Sequence, residues 1–153
     1  MEKTLVILKP SAIQRSLIGE VIKRFEQKGL RLAGIKMMQL TEEIVDEHYA
    51  HLAERPFFQR IKDSMMIMPV IVTCWEGIDA INVVRNMTGT TNGRNATPGT
   101  IRGDFSVSTQ ENIVHTSDSV ENAVVELNRL FCDDEIFNYN QVMINFLYAN
   151  DEI

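Results

Sequence analysis

The apolar positions of this chain change their period several times, and each change marks an element. Leu5, Val6, Ile7 and Leu8 run on without a polar break and stop at Lys9-Pro10, the pattern of a central strand buried on both faces and ended by proline. Leu17, Ile18, Val21, Ile22 and Phe25 then recur with helical spacing, Lys23, Arg24 and Lys28 fall on the opposite face, and Gly29 supplies the stop. The same reasoning predicts a second strand over 32–40, a helical pair over 42–52 and 57–66 split by Arg55-Pro56, and a third strand over 70–75. Ile78, Ile81, Val84 and Arg85 belong to a further helix. Periodicity disappears between Gly89 and Gly103, a loop of Gly, Thr, Asn and Pro too long for a plain connector, and long ordered loops carry function. A short segment over 104–107, a strand delivering His115, a helix from Ser119 and an irregular tail from Cys132 complete the chain. The order βαβ, helical insert, β, α, long loop, β, α predicts one α+β domain over residues 1–153. Its expected form is a ferredoxin-like split βαβ sandwich with a helical insert, a long loop suited to an active site and a C-terminal tail.

One stretch, Asn112 to Ser119, delivers a lone imidazole from an apolar run onto a helix start. Asp118 and Glu121 read as an N-cap with its capping-box partner, after which Val120, Ala123, Val124, Leu127, Leu130 and Phe131 repeat with helical spacing. A ring placed there lies beside free backbone N–H groups that favour anions, phosphate among them. On this octapeptide alone a satisfied core histidine is an equally good reading.

Composition narrows the field. Of 153 residues, 44% are hydrophobic and 24% charged, the profile of an ordinary folded domain, and the net charge of −6 argues against a general nucleic-acid binder. A local basic pocket remains compatible with it, so the cations are expected to be concentrated. The two cysteines, Cys74 and Cys132, form no C-x-x-C pair and read as packing thiols in a reduced compartment. The opening Met1-Glu2-Lys3-Thr4 lacks the pattern of a signal peptide, and no run is long enough to span a membrane; the expected location is cytoplasmic. Asn86-Met87-Thr88 and Asn95-Ala96-Thr97 are chance matches to glycosylation acceptors. Met37, Met38, Met65, Met66 and Met68 read as core filler.

Among nucleotide and hydrolase motifs, the chain has no G-x-x-x-x-G-K-[ST] loop, no G-x-G-x-x-G opening a helix and no G-x-S-x-G elbow. What remains is His115 as a nucleophile, a residue type able to split a phosphoryl transfer into two steps. Lys9 at a strand end, Arg85 near a helix end, Arg102 and Thr91 offer charge and positioning. Each has a plain alternative: Lys9 covering a strand end, Arg85 on a solvated face, Arg102 pairing with Asp104. Glu126 falls on the edge of its helix's apolar stripe, about 100° from Leu127. It can therefore reach an imidazole and fix its tautomer, or simply face solvent. His48 and His51, at i and i+3, lack a third close ligand, which favours a non-metal reading. Tyr49 and Phe57 can stack on a base, though core packing explains each taken singly.

These pieces fall into one order: Leu8-Lys9-Pro10, Gly19-Glu20, Arg24-Phe25-Glu26, Glu47-His48-Tyr49, Arg55-Pro56-Phe57-Phe58, Trp75-Glu76-Gly77, Pro98 to Phe105 and Asn112-x-x-His115-x-Ser117-Asp118-Ser119. From about Thr4 to Tyr148 the chain closely resembles nucleoside diphosphate kinase. The resemblance implies a ping-pong exchange in which a nucleoside triphosphate gives its terminal phosphoryl group to Nδ1 of His115 and a diphosphate then takes it. It implies that Lys9, Arg85, Thr91, Arg102 and Asn112 hold phosphates and ribose, that Tyr49, Ser117 and Glu126 support His115, and that Phe57 stacks on the base. Magnesium would bridge the phosphates and be carried by the nucleotide. Stacking without edge readout would give broad base tolerance. A homo-oligomer is expected, six subunits favoured over four.

The chain departs from the family pattern at three places. Thr116 replaces a small residue after the histidine, and its β-branch is expected to crowd the strand-to-helix turn. Ser11-Ala12 stand where Asp-Gly is usual, a change in turn chemistry with a modest expected effect. Gly93 takes a proline position and is expected to loosen the long loop. A rival reading, a nucleotide-binding regulatory or scaffold module without turnover, rests on Thr116, Ser11 and Ala12; retention of His115 counts against it.

Overall fold

The computed structural model describes residues 1–153. Four strands, β1 (Glu2–Leu8), β2 (Arg31–Met38), β3 (Val70–Gly77) and β4 (Val114–Thr116), form one sheet in the order β2-β3-β1-β4. Every pairing is antiparallel, with Val6 opposite both Thr73 and Thr116. This is the order of a ferredoxin-like split βαβ sandwich. Helices α1 (Pro10–Gln14), α2 (Ile18–Lys28), α3 (Glu42–His48), α4 (Phe58–Met66), α5 (Ala80–Thr88), α6 (Ile101–Phe105) and α7 (Val120–Leu130) complete it. No helix is long and apolar enough to cross a membrane.

The continuous apolar run of β1 follows from its place in the middle of the sheet, covered on both faces. Leu5 and Ile7 enter one core with Val72, Cys74, Val45, Met65 and Leu127, while Val6 and Leu8 enter another with Val21, Phe25, Trp75 and Val84. Strand alternation divides the two. Phe25 and Trp75 meet with ring centroids 5.2 Å apart, and the Trp75 indole N–H donates to Thr73 Oγ1 at 2.9 Å. Gly29 ends α2 in the left-handed conformation as its sequence position predicts. The tail returns across β2: Phe137 N donates to Ala33 O and the Tyr139 hydroxyl to Leu32 O.

Several expectations are corrected. Lys9-Pro10 ends β1 and also opens a helix, because proline is well suited to its first turn. The helix expected over 42–52 stops at His48 and continues as a 3-10 turn over Ala50–Leu52. The 89–103 loop is interrupted by a 3-10 turn over Gly93–Asn95 and runs into α6, whose N-cap Thr100 accepts from Gly103 N. Ser119, rather than Asp118, caps α7, accepting from Asn122 N; Asp118 instead accepts from the Asn122 side chain. Cys132 and Met37 are exposed, so neither is core filler. Gly93 is buried and tightly held: a Cβ there would lie 2.4 Å from Ser106 O, and its N–H donates to Ser108 O at 3.0 Å. The expected loosening is replaced by close backbone approach. Thr116 lies within β4 opposite Val6, a setting that suits a β-branched residue.

Candidate active site

The antiparallel pairing of β4 against β1 brings the end of β1, the loop after α5 and the start of β4 to the same edge of one cleft. Lys9, Tyr49, Phe57, Arg85, Thr91, Arg102, Asn112, His115 and Glu126 all line this cleft of about 1160 Å³. Ser117 stands just behind it. The candidate catalytic and nucleotide-binding residues are therefore gathered at this cleft, Ser117 through its bond to Glu126.

His115 is delivered by an unusual piece of backbone. Ile113 has φ +74°, and Val114 N donates to Asn112 O across it at 2.9 Å, which is a γ-turn centred on a buried β-branched residue. Such a conformation persists only where its surroundings enforce it, and these do. Lys9 N donates to Ile113 O, while Arg102 donates from Nε to Asn112 O at 3.2 Å and from Nη2 to Val114 O at 2.8 Å. Its Nη1 donates to Gly89 O at 3.0 Å, tying the loop after α5 to the same turn. The pairing of Arg102 with Asp104 allowed by the sequence is absent: Asp104 pairs with Arg24 at 2.8 Å.

The ring of His115 is oriented from behind. Glu126 Oε1 lies 3.0 Å from His115 Nε2, and Ser117 Oγ donates to Glu126 Oε2 at 2.5 Å. Burial alone would raise the Glu126 carboxyl, but the hydrogen bonds from the His115 ring and from Ser117 overcome it and hold the group down to about 2. The ionised carboxylate is an acceptor only, so the His115 proton sits on Nε2 and Nδ1 keeps its lone pair. Nδ1 has no partner within the chain.

His48 and Arg129 extend this cluster and were not assigned to it from the sequence. Arg129 Nη1 lies 3.2 Å from His48 Nδ1 and, having no lone pair, must donate there; neutral His48 then carries its proton on Nε2. Burial above all, then the His115 charge, pulls His48 down to about 3, so it is neutral near pH 7. Its Nε2 lies 3.1 Å from His115 Nε2 and 3.8 Å from Glu126 Oε1, so the carboxylate is hydrogen-bonded by His115 and faced by the His48 N–H only at longer range. The three donors His48, His115 and Glu126 are close enough to surround a metal ion. Arg129 opposes that use, since a metal on Nε2 would put a proton on Nδ1 against a guanidinium. The arrangement is a hydrogen-bonded cluster. Only long-range packing joins α3 to α7, which is why the i,i+3 pair His48 and His51 gave no such signal.

Cationic groups stand in front of the ring. Lys9 Nζ donates to Asn112 Oδ1 at 2.7 Å and to Gln110 O at 3.2 Å. Burial first, then the Arg102 charge, lowers it to about 8, against an opposing pull from Glu111. Burial, with Arg85 next, lowers Arg102 to about 10. Arg85, in the last turn of α5, is exposed to the cleft. Asn112 Nδ2 donates to Thr91 O at 2.9 Å, fixing the long loop against β4. The Tyr49 hydroxyl is buried without a partner, and its pKa is raised by burial first and then by the Glu126 carboxylate. Phe57 is 37% exposed, at the start of α4, and its accessible ring differs sharply from buried Tyr49.

A nucleophile with a fixed tautomer, a carboxylate behind it and cations ahead of it suit phosphoryl transfer. The family model for nucleoside diphosphate kinase matches residues 2–136. The chain is 70% identical over 152 residues to nucleoside diphosphate kinase of Parabacteroides distasonis, covering 99% of both chains. It is 47% identical over 152 residues to that of Rhodopirellula baltica, covering 99% of this chain and all of the relative. The solved structure of the Halobacterium salinarum enzyme in complex with CDP superposes with a TM-score of 0.95 at 37% identity, covering 97% of this chain and 99% of that one. Sequence, fold and relatives agree that the chain belongs to the nucleoside diphosphate kinase family, whose members transfer the terminal phosphoryl group of a nucleoside triphosphate to a nucleoside diphosphate.

Proposed function

We propose that His115 carries the phosphoryl group in this reaction. The observation that supports it most directly is the 3.0 Å approach of Glu126 Oε1 to His115 Nε2, which leaves Nδ1 unprotonated in a residue lining the cleft. The Nδ1 lone pair forms a bond to the terminal phosphorus as the bond to the bridging oxygen breaks, and that oxygen leaves with the nucleoside diphosphate and the electron pair. The Nε2 proton stays on the carboxylate side throughout. A second diphosphate then attacks phosphohistidine, and the same steps run in reverse.

Lys9, Arg85 and Arg102 supply the positive charge that phosphates need, Thr91 and Asn112 fix the loop and the ribose end, and Phe57 offers a stacking face to the base. Tyr49 and Ser117 position the ring and its carboxylate. Magnesium fits this site as a passenger on the nucleotide phosphates: the cations ahead of His115 suit a magnesium–phosphate complex and offer no oxygen cage for a bare ion. There it would neutralise phosphate charge. A cytoplasmic location is supported by two free cysteines, and homo-oligomeric assembly by exposed Ile35 and Met37 on β2 and Val142 and Phe146 on the tail, with six subunits favoured on the resemblance of the tail to longer family members.

Incubation with terminally labelled ATP and magnesium should give an acid-labile, alkali-stable phosphoenzyme in the wild type and none in His115→Asn. Equal labelling of both would remove His115 from this role.

A further inference from the structure

The mouth of the cleft carries a cation that the phosphate chemistry leaves unused. Phe57, Arg60 and Ser64 line the cleft from one face of the segment that forms α4, spaced i, i+3 and i+7. Across from them lie Thr109 and Gln110. The Arg60 Nε donates to Gln110 Oε1 at 2.7 Å, and the Gln110 amide answers with a 3.4 Å donation to Arg60 O. Ser64 Oγ donates to Glu111 Oε1 at 2.7 Å, so α4 is clasped to the 109–112 segment at two points. Gln110 also accepts from Lys9 through its carbonyl, which links the clasp to the phosphate end of the site.

This clasp fixes one edge of the Arg60 guanidinium and leaves the other free. Nε is occupied, whereas Nη1 and Nη2 have no hydrogen-bond partner within the chain. An arginine so held presents a planar fork rather than a wandering charge, and a fork matches two adjacent acceptors in one plane. It stands one helical turn from Phe57, at the base end, away from the Arg85–Arg102 pair. Guanine offers two neighbouring acceptors, O6 and N7, on the edge away from its ribose; adenine pairs its N7 with a donor amino group there, and the adjacent acceptors of cytosine, O2 and N3, are crowded on the O2 side by the ribose on N1. We propose that Arg60 is a specificity-determining residue that reads the O6/N7 edge of guanine, so that this enzyme favours guanine nucleotides within a broad substrate range. The proposal rests on the reading that Phe57 stacks on the base.

The test measures kcat/KM for GDP, ADP and CDP as phosphoryl acceptors in the wild type and in Arg60→Ala, Arg60→Lys and Phe57→Ala. The wild type should favour GDP over ADP by about five- to tenfold, the lower part of the range for a bidentate contact at an exposed site. Arg60→Ala should abolish that ratio by a loss confined to GDP, and Arg60→Lys should not restore it, since lysine supplies charge without the fork. Phe57→Ala should weaken all three acceptors. A wild type without guanine preference, or an Arg60→Ala variant in which all three acceptors fall together, would overturn the assignment to guanine and leave Arg60 as a clasp or a general charge. No loss for any acceptor in Phe57→Ala would instead overturn the stacking reading, independently of the ratio.

Discussion

Replacing Glu126 by glutamine tests the cluster behind the nucleophile, because it removes one charge while keeping the shape. The carboxyl is held at about 2 against an ordinary value of 4.5, although burial pushes it the other way. At roughly 1.4 kcal/mol per pH unit, the site favours the ionised form by about 3 kcal/mol. The side chain is 13% exposed, so solvent screens little of this. Only the share that grows as positive charge develops on His115 lowers the barrier, and about 1.5–3 kcal/mol corresponds to roughly 10- to 100-fold in rate. Glu126 touches no phosphate-binding group, so the nucleotide KM should hold. Rapid-quench measurement of phosphoenzyme formation should therefore show kcat falling by that factor in Glu126→Gln with calorimetric nucleotide affinity unchanged. A fall below twofold, or a loss expressed mainly in affinity, would refute the reasoning. The same depressed value sets the acid behaviour: its stabilising contribution is complete above pH 4.5 and is lost as pH falls through about 2. The gap in thermal stability between wild type and variant should narrow over that window.

Lys9, lowered to about 8 from 10.5, carries a charging cost that is present in full below pH 8 and is relieved as pH rises toward 10.5. Nucleotide KM should rise above pH 8 as Lys9 loses its proton, and Lys9→Met should flatten that rise in a pH–KM series. Arg129→Leu should release His48 from its single tautomer, which nitrogen-resolved NMR of the His48 ring reads directly; an unchanged Nε2–H form would dismiss Arg129 as its anchor. Phe25→Ala empties a site of no exposure against Trp75 and should cost about 3–5 kcal/mol in urea unfolding, with the phosphohistidine still formed below the transition.

The elements that were legible in the sequence are those whose partners are close by or whose pattern is strong. β1 betrays its central place through four unbroken apolar residues, and α2 announces its face and its glycine stop. His115 and Glu126 lie 11 residues apart and are joined by one strand and one helix, so periodicity alone brings the carboxylate near the ring. His48 and Arg129 lie 81 residues apart on α3 and α7, and no local pattern encodes their contact. The sequence points one residue away from the true cap of α7 because Asp118 and Ser119 are both good cap residues, and only the backbone decides which oxygen reaches Asn122 N.

Arg102 shows how an assignment read from sequence can conceal the physics. Its sequence context suggested a phosphate ligand, yet three of its donor groups are spent on the carbonyls of Asn112, Val114 and Gly89. The Asn112 and Val114 carbonyls flank Ile113, whose φ of +74° is a left-handed value that a β-branched residue adopts only at a cost. The arginine therefore offsets the strain of the turn that sets His115 at the cleft, and it does so with a charge that phosphates also attract. Lysine at this position would keep the charge and lose the fork that grips two carbonyls on either side of the turn. The ring of His115 would then lose its backbone register before the site lost its affinity for anions.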